Sequence, residues 1–175
     1  AGNDRFGESV GAGSNKIVVG APQHNSFTGA AYIYNLNGLG EVKITASDGT
    51  TNNDFGHAVD VENDKIAVGA YRAGVSGAVY VYDLDGTNEL KITTSDITAG
   101  GAFGSAVAIG NNKIVVGGPV DNNANGNGAG AVYIYNLQGG NEIKIIASDG
   151  GANHAFGGSV AIANNKIIVG ADQAS

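Results

Sequence analysis

Phe55-Gly56-His57-Ala58-Val59, Lys65-Ile66-Ala67-Val68-Gly69, Val79-Tyr80-Val81-Tyr82 and Glu89-Leu90-Lys91-Ile92-Thr93 make up one unit of sequence that recurs along the chain. Phe-Gly returns at Phe6-Gly7, Phe103-Gly104 and Phe156-Gly157. The period of about 50 residues lies in the range that marks propellers and solenoids. The lysine-led run returns as Lys16-Ile17-Val18-Val19-Gly20, Lys113-Ile114-Val115-Val116-Gly117 and Lys166-Ile167-Ile168-Val169-Gly170. The tyrosine segment returns as Ala31-Tyr32-Ile33-Tyr34 and Val132-Tyr133-Ile134-Tyr135, and the Glu-x-Lys segment as Glu41 to Thr45 and Glu142 to Ile146.

Each full unit therefore holds four short segments rich in Val, Ile, Tyr and Thr, residues suited to a pleated surface. The first two are joined through Ser14-Asn15, Asn63-Asp64, Asn111-Asn112 or Asn164-Asn165. Asn and Asp tolerate the positive φ of two-residue hairpin turns. No stretch carries a helical period. Four antiparallel strands per repeat predict an all-β chain of propeller blades. The first strand, with its small residues, suits the crowded axis. The fourth sets Glu and Lys on one face and aliphatics on the other, which suits the outer edge, where charge discourages edge-to-edge pairing.

Composition agrees. The 30 glycines exceed the usual ~7% share and follow no Gly-X-Y period, so they read as turn residues and exclude collagen. The net charge of −7 comes without a basic cluster, which argues against nucleic acid as a partner. The chain has no cysteine, so disulfides and thiolate chemistry are excluded. No apolar run approaches the ~20 residues of a membrane-spanning helix, and membrane insertion is not expected.

Phe-Gly followed by Val19-Gly20-Ala21-Pro22 resembles the FG-GAP repeat family, with variants at Val68 to Tyr71, Val116 to Pro119 and Val169 to Asp172. The Ala46 to Gly49, Ala147 to Gly150 and Tyr82 to Gly86 links look like bacterial and phage-encoded versions. The resemblance spans residues 1–175 as one repeat array, with repeats at about 6–54, 55–102 and 103–155 and a partial one at 156–175. It implies blades of a seven-bladed ring, of which this chain supplies about three and a half. It also implies recognition at cell or particle surfaces, as in the integrin α head. Integrin-type repeats hold Ca²⁺ in an acidic loop between their first two strands. Here that link is only a tight Asn-type turn, so the resemblance carries no calcium site to those positions. The chain starts at a blade boundary and stops inside a blade. Ring completion is thus expected from more of the same chain or from another chain.

One loop has metal-like spacing. Asp121-Asn122-Asn123-Ala124-Asn125-Gly126 places oxygen donors at alternate positions before a glycine. Asp121, Asn123 and Asn125 are therefore candidate Ca²⁺ ligands, set against a polar insertion at a blade tip. The position for a bidentate Glu falls at Val132, which favours the insertion, and no cofactor is expected. Asp48, Asp96 and Asp149, each after a serine, and Asp83 and Asp85 beside Gly86 recur as turn positions. His24, His57 and His154 show no zinc spacing. The tyrosine pairs are expected to pack between blades with their hydroxyls bonded, and the lysines to be exposed strand residues.

No catalytic constellation is visible, so the expectation is a non-enzymatic recognition, adhesion or structural module, extracellular or at the cell surface. A virion structural or tail-fibre part is the alternative, and a propeller hydrolase or lyase is the alternative of another class. The variable loops Gln23 to Thr28, Arg72 to Ser76 and Val120 to Gly128 occupy the same place in each repeat and should lie on one rim. Gln23, His24, Asn25, Arg72, Asn122 and Asn127 are the candidate contacts there. The expected partner is a protein or glycan surface ligand, or a neighbouring subunit of an assembly.

Overall fold

The computed structural model describes residues 3–96 and 99–173. Ala1 and Gly2 of the leading segment, and Ser175 at the end of the partial repeat, lie outside the described residues. The described residues form three four-stranded antiparallel sheets and one two-stranded sheet, each in plain sequential order. Blade 1 comprises β1 (Val10–Gly13), β2 (Lys16–Ala21), β3 (Ala30–Asn35) and β4 (Val42–Ile44). Blade 2 comprises β5 (Ala58–Glu62), β6 (Lys65–Ala70), β7 (Ala78–Asp83) and β8 (Leu90–Ile92). Blade 3 comprises β9 (Ala106–Gly110), β10 (Lys113–Gly118), β11 (Ala131–Asn136) and β12 (Ile143–Ile145). The fourth sheet pairs β13 (Phe156–Ala163) with β14 (Lys166–Ala171).

The hairpins between first and second strands follow from their turn residues. Ser14 and Asn15, Asn63 and Asp64, Asn111 and Asn112, and Asn164 and Asn165 all sit at positive φ, between 49° and 61°. Two consecutive left-handed residues make a type I′ turn, whose twist matches that of the flanking strands. The fourth strands are three residues long, shorter than the five-residue segments read from sequence. Glu89 and Glu142 leave the ladder to bond the preceding blade, while Glu41 accepts from Tyr34 of its own blade, and a short outer strand presents little edge to a foreign chain.

Blades stack through their first strands: β1 meets β5, β5 meets β9 and β9 meets β13. The Phe-Gly and Val-Gly glycines explain how closely. A Cβ on Gly20 would lie 1.9 Å from the Gly56 carbonyl oxygen, one on Gly69 2.0 Å from that of Gly104, and one on Gly117 2.0 Å from that of Gly157. Backbone of one blade thus rests directly on backbone of the next. Phe55 and Phe103 are fully buried beside these contacts, edge-on to Tyr80 and Tyr133 at 5.4 and 5.3 Å. The core lies between blades. Val18, Ile33 and Ile44 of blade 1 share one cluster with Val59, Ile66 and Tyr80 of blade 2. Val79, Val81 and Ile92 share the next with Ile109, Ile114 and Tyr133.

A polar clasp crosses each of the joints between blades 1 and 2 and between blades 2 and 3. Ser47 donates from its backbone N and its hydroxyl to the two Glu89 oxygens at 2.9 and 2.6 Å. Lys91 donates to Asp48 at 2.5 Å, and Tyr80 donates to the same carboxylate at 2.7 Å. One period later Ser95 holds Glu142 in the same way, and Lys144 binds Asp96. Lys43 and Lys91 of the fourth strands are exposed, as expected, and Lys144 is half-buried, but all three make specific contacts. Lys91 and Lys144 lie 5.5 Å over the rings of Tyr80 and Tyr133, and Lys43 lies 5.8 Å over Tyr32. The recurring Ser-Asp pairs are the other half of this clasp.

Candidate functional groove

The loops from the second to the third strand all leave the same end of the sheets, and each is tied to the link entering the next blade. Asp54 N donates to the Phe27 carbonyl at 2.8 Å, Phe103 N to that of Ser76 at 2.8 Å, and Phe156 N to that of Ala129 at 3.0 Å. The first loop does so through one left-handed turn, His24–Phe27. Asn25, Ser26 and Phe27 sit at φ of 51°, 59° and 64°. Each such non-glycine residue costs about 1–2 kcal/mol, so the turn is strained, and strain of this kind collects at functional positions.

Beside this turn lies a cavity of about 350 Å³ between blades 1 and 2. Its walls are two copies of the same four repeat positions. Blade 1 supplies Arg5, Glu8, Pro22 and Gln23, and blade 2 supplies Asp54, His57, Tyr71 and Arg72, with Phe27 between them. The frame delivers these side chains predictably. The residue before each Phe-Gly is left-handed, the residue after it faces the joint, and the pair after Val-Gly-Ala starts the rim loop. At the same positions the third repeat has Ala102, Ser105, Pro119 and Val120, and the fourth has Ala155, Gly158, Asp172 and Gln173.

Charges in the groove are paired within each wall, and Glu8 and His57 meet across it. Arg72 Nη1 lies 3.0 Å from Asp54 Oδ2, whose side chain is only 6% exposed. The guanidinium of Arg72 sits 4.9 Å from the Tyr71 ring centre, and Tyr71 packs on His57 at 4.5 Å. Burial, and then the Asp54 carboxylate, push the Tyr71 hydroxyl above its ordinary pKa, so it stays a neutral donor. Glu8 accepts from Arg5 Nη1 at 3.1 Å and faces His57 Nδ1 at 3.4 Å. With its amide oriented to satisfy both neighbours, Gln23 accepts from Arg5 Nε at 2.6 Å and donates to the Asn3 carbonyl.

The rim residues expected from sequence divide between two places. Gln23 and Arg72 line the groove. Asn25 borders a shallower depression next to it. His24 turns away to Asp4 at 3.0 Å and Lys43 at 2.5 Å. Asn122 and Asn127 belong to the blade 3 loop, where Asn122 Oδ1 accepts from Gly128 N and the Asn127 carbonyl accepts from Asn153 N.

In that same loop, Asp121 is buried. It accepts from the Tyr133 hydroxyl at 2.6 Å and pairs with Lys144 at 2.8 Å. Burial lowers the Lys144 pKa, but the bonds to Asp121 and Asp96 outweigh it and hold the ammonium above its ordinary value. Asn123 donates to the Gly130 carbonyl and accepts from Asn125 N, while Asn125 donates to the Ala147 carbonyl. The three residues read as Ca²⁺ ligands thus point to different protein partners, and the cation beside Asp121 is Lys144. Among the described residues, no three His, Cys, Asp or Glu side chains gather as a metal group would need.

Arg5, Glu8, Asp54, His57 and Tyr71 did not stand out in the sequence as groove residues. Their signal is divergence within a repeat column, which stays hidden while repeats are aligned for what they share.

The family model described as FG-GAP repeat matches residues 1–34, 40–82, 87–135 and 140–175. No curated protein gives a significant match to this sequence. The two middle segments each run from one outer strand into the following inner three, whereas the sheets close on the fourth strand, so each of these segments joins parts of two blades. The chain belongs to the FG-GAP repeat family, and its sheets are β-propeller blades.

Proposed function

We propose that this chain is a non-enzymatic recognition module that binds a protein or glycan surface ligand through the rim formed by its second-to-third-strand loops. The observation that carries the reading is the placement of divergence. Where the repeats agree, the side chains build joints. Where blades 1 and 2 depart from blade 3, the charged and aromatic residues converge on one groove. Propellers present variable loops on a rigid frame, which suits binding. An extracellular or cell-surface setting fits this use.

The ring is completed by further blades of the same kind, from more of this chain or from another. Support comes from Ser148-Asp149, which repeats the Ser-Asp half of the clasp. A neighbouring Glu-x-Lys strand is the chemistry that would fill it.

The test is a panel of purified extracellular proteins and glycans probed with the chain and with two variants. One exchanges the Gln23 to Thr28 and Arg72 to Ser76 loops, and the other exchanges the outer-edge turns around Gly38 and Gly86. Rim exchange should abolish the signal and edge exchange should preserve it. Binding that survives rim exchange would refute the reading.

A further inference from the structure

The groove between blades 1 and 2 presents fixed cations, fixed anions and aromatic faces together. Arg72 is held on one side by buried Asp54 and on its face by Tyr71. A guanidinium has five N–H donors in a planar fork. Asp54 is the one acidic side chain paired with it among the described residues, and Arg72 is 54% exposed, so the rest of its fork opens into the cavity. This geometry suits two-point recognition of a carboxylate. Glu8, only 24% exposed, adds acceptors on the opposite wall, and Gln23 adds an amide. Phe27, 38% exposed, and Tyr71 offer apolar faces.

These features select by exclusion. An anion without hydrogen-bond donors meets Glu8, Asp54 and a chain of net charge −7 with nothing to offer their carboxylates. A neutral sugar leaves the free edge of Arg72 without a charged partner. A sugar acid satisfies both walls, since its carboxylate meets the guanidinium and its hydroxyls donate to the carboxylates. The volume of about 350 Å³ lies at the small end of ligand pockets and suits a single ring.

We propose that the groove between blades 1 and 2 binds one uronic-acid unit of an acidic glycan. The carboxylate lies on Arg72, the hydroxyls on Glu8 and Gln23, and the ring against Tyr71 and Phe27. This deepens the rim reading and rests on it.

The test is a residue-by-residue amide NMR titration of the whole 175-residue chain with glucuronate, glucose and glutamate. Glucuronate should shift Glu8, His57 and Arg72 saturably and bind at least about tenfold more tightly than either other probe. Arg72→Lys keeps a cation beside Asp54 but loses the planar fork, so it should weaken glucuronate binding by about tenfold. An Arg72→Lys variant that binds as well as the parent chain would overturn the assignment. Glucose binding equally well in the groove would show that the carboxylate is not read. Glutamate binding equally well would show an amino-acid site. Either result overturns the sugar-acid proposal and leaves the rim reading standing. Absence of saturable groove shifts with glucuronate overturns the proposal alone, and the loop-exchange panel then decides the rim reading separately.

Discussion

The joint between blades 1 and 2 and the joint between blades 2 and 3 share one frame and differ in what they leave open. Both use the same glycine approach, the same buried Phe-Gly phenylalanine and the same Ser-Asp to Glu-x-Lys clasp. At the rim of the first joint, Arg5, Glu8, Asp54, His57, Tyr71 and Arg72 surround a cavity of about 350 Å³. At the matching positions of the second joint, Ala102, Ser105, Pro119 and Val120 stand in place of Asp54, His57, Tyr71 and Arg72. At other positions of that joint, the space beside Asp121 and Tyr133 holds only about 10 Å³, near the volume of one water. Asp121 lines that space and pairs with Lys144 at 2.8 Å. Repetition fixes the frame, and departure from repetition decides which side chains line each joint.

The largest effect should come from the shared frame. Gly69→Val would drive a side chain into the Gly104 carbonyl, and Gly20→Val would do the same at Gly56. Both contacts are to backbone and cannot relax cheaply. Each substitution should cost about 4 kcal/mol or more in chemical denaturation, and by similar amounts. A mild effect at either joint would break the claim of a common frame.

The clasps separate the joints. Lys144→Met removes the cation from Asp121, whose side chain is 3% exposed, and breaking a buried pair in this way costs about 3–5 kcal/mol. Lys91→Met acts on Asp48, which is 49% exposed, and should cost about 1 kcal/mol or less. Equal losses in the two variants would mean that the joints are not built differently.

Acid should loosen both joints. The Lys91 hydrogen bond, and then that of Tyr80, hold Asp48 below the usual carboxylate range. Burial raises Glu142, but the Ser95 hydroxyl and backbone bonds outweigh it and leave Glu142 lowered as well. A lowered folded pKa gives stability that is fully present above the unfolded value, about 4, and lost as pH falls through the folded value. The melting temperature should therefore stay level between about pH 7 and 5 and drop below about pH 4. Ser95→Ala should make that drop shallower by removing the share of Glu142.

Much of the frame was legible in the sequence. The Asn-Asn, Asn-Asp and Ser-Asn pairs marked the hairpins because few other residues accept two consecutive positive φ angles. The alternation of Tyr with Ile or Val marked the third strands. The clasp was legible only in part, since Ser-Asp and Glu-x-Lys recur visibly but are joined across blades through residues some 40 to 50 apart. The groove was legible through Gln23 and Arg72, which lie on variable loops. Asp54 and His57 flank a Phe-Gly pair, and nothing in the sequence at those positions marks a groove. Only stacking of blade 1 on blade 2 brings them opposite Arg5 and Glu8. The metal-like spacing of Asp121, Asn123 and Asn125 describes distance along the chain, while the fold turns each side chain toward a different neighbour.

The most direct test rewrites the rim of blade 2 as that of blade 3, in a variant carrying Asp54→Ala, His57→Ser, Tyr71→Pro and Arg72→Val. Every incoming residue already occupies the same position in the third repeat. Thermal unfolding and panel binding would be measured on the same sample. The predicted result is stability within about 1 kcal/mol of the parent chain, because Asp54 leaves together with its partners Arg72 and Tyr71 and no buried group is stranded, together with loss of ligand binding. Binding that persists in the folded variant would contradict the account, because recognition would then reside in what the repeats share.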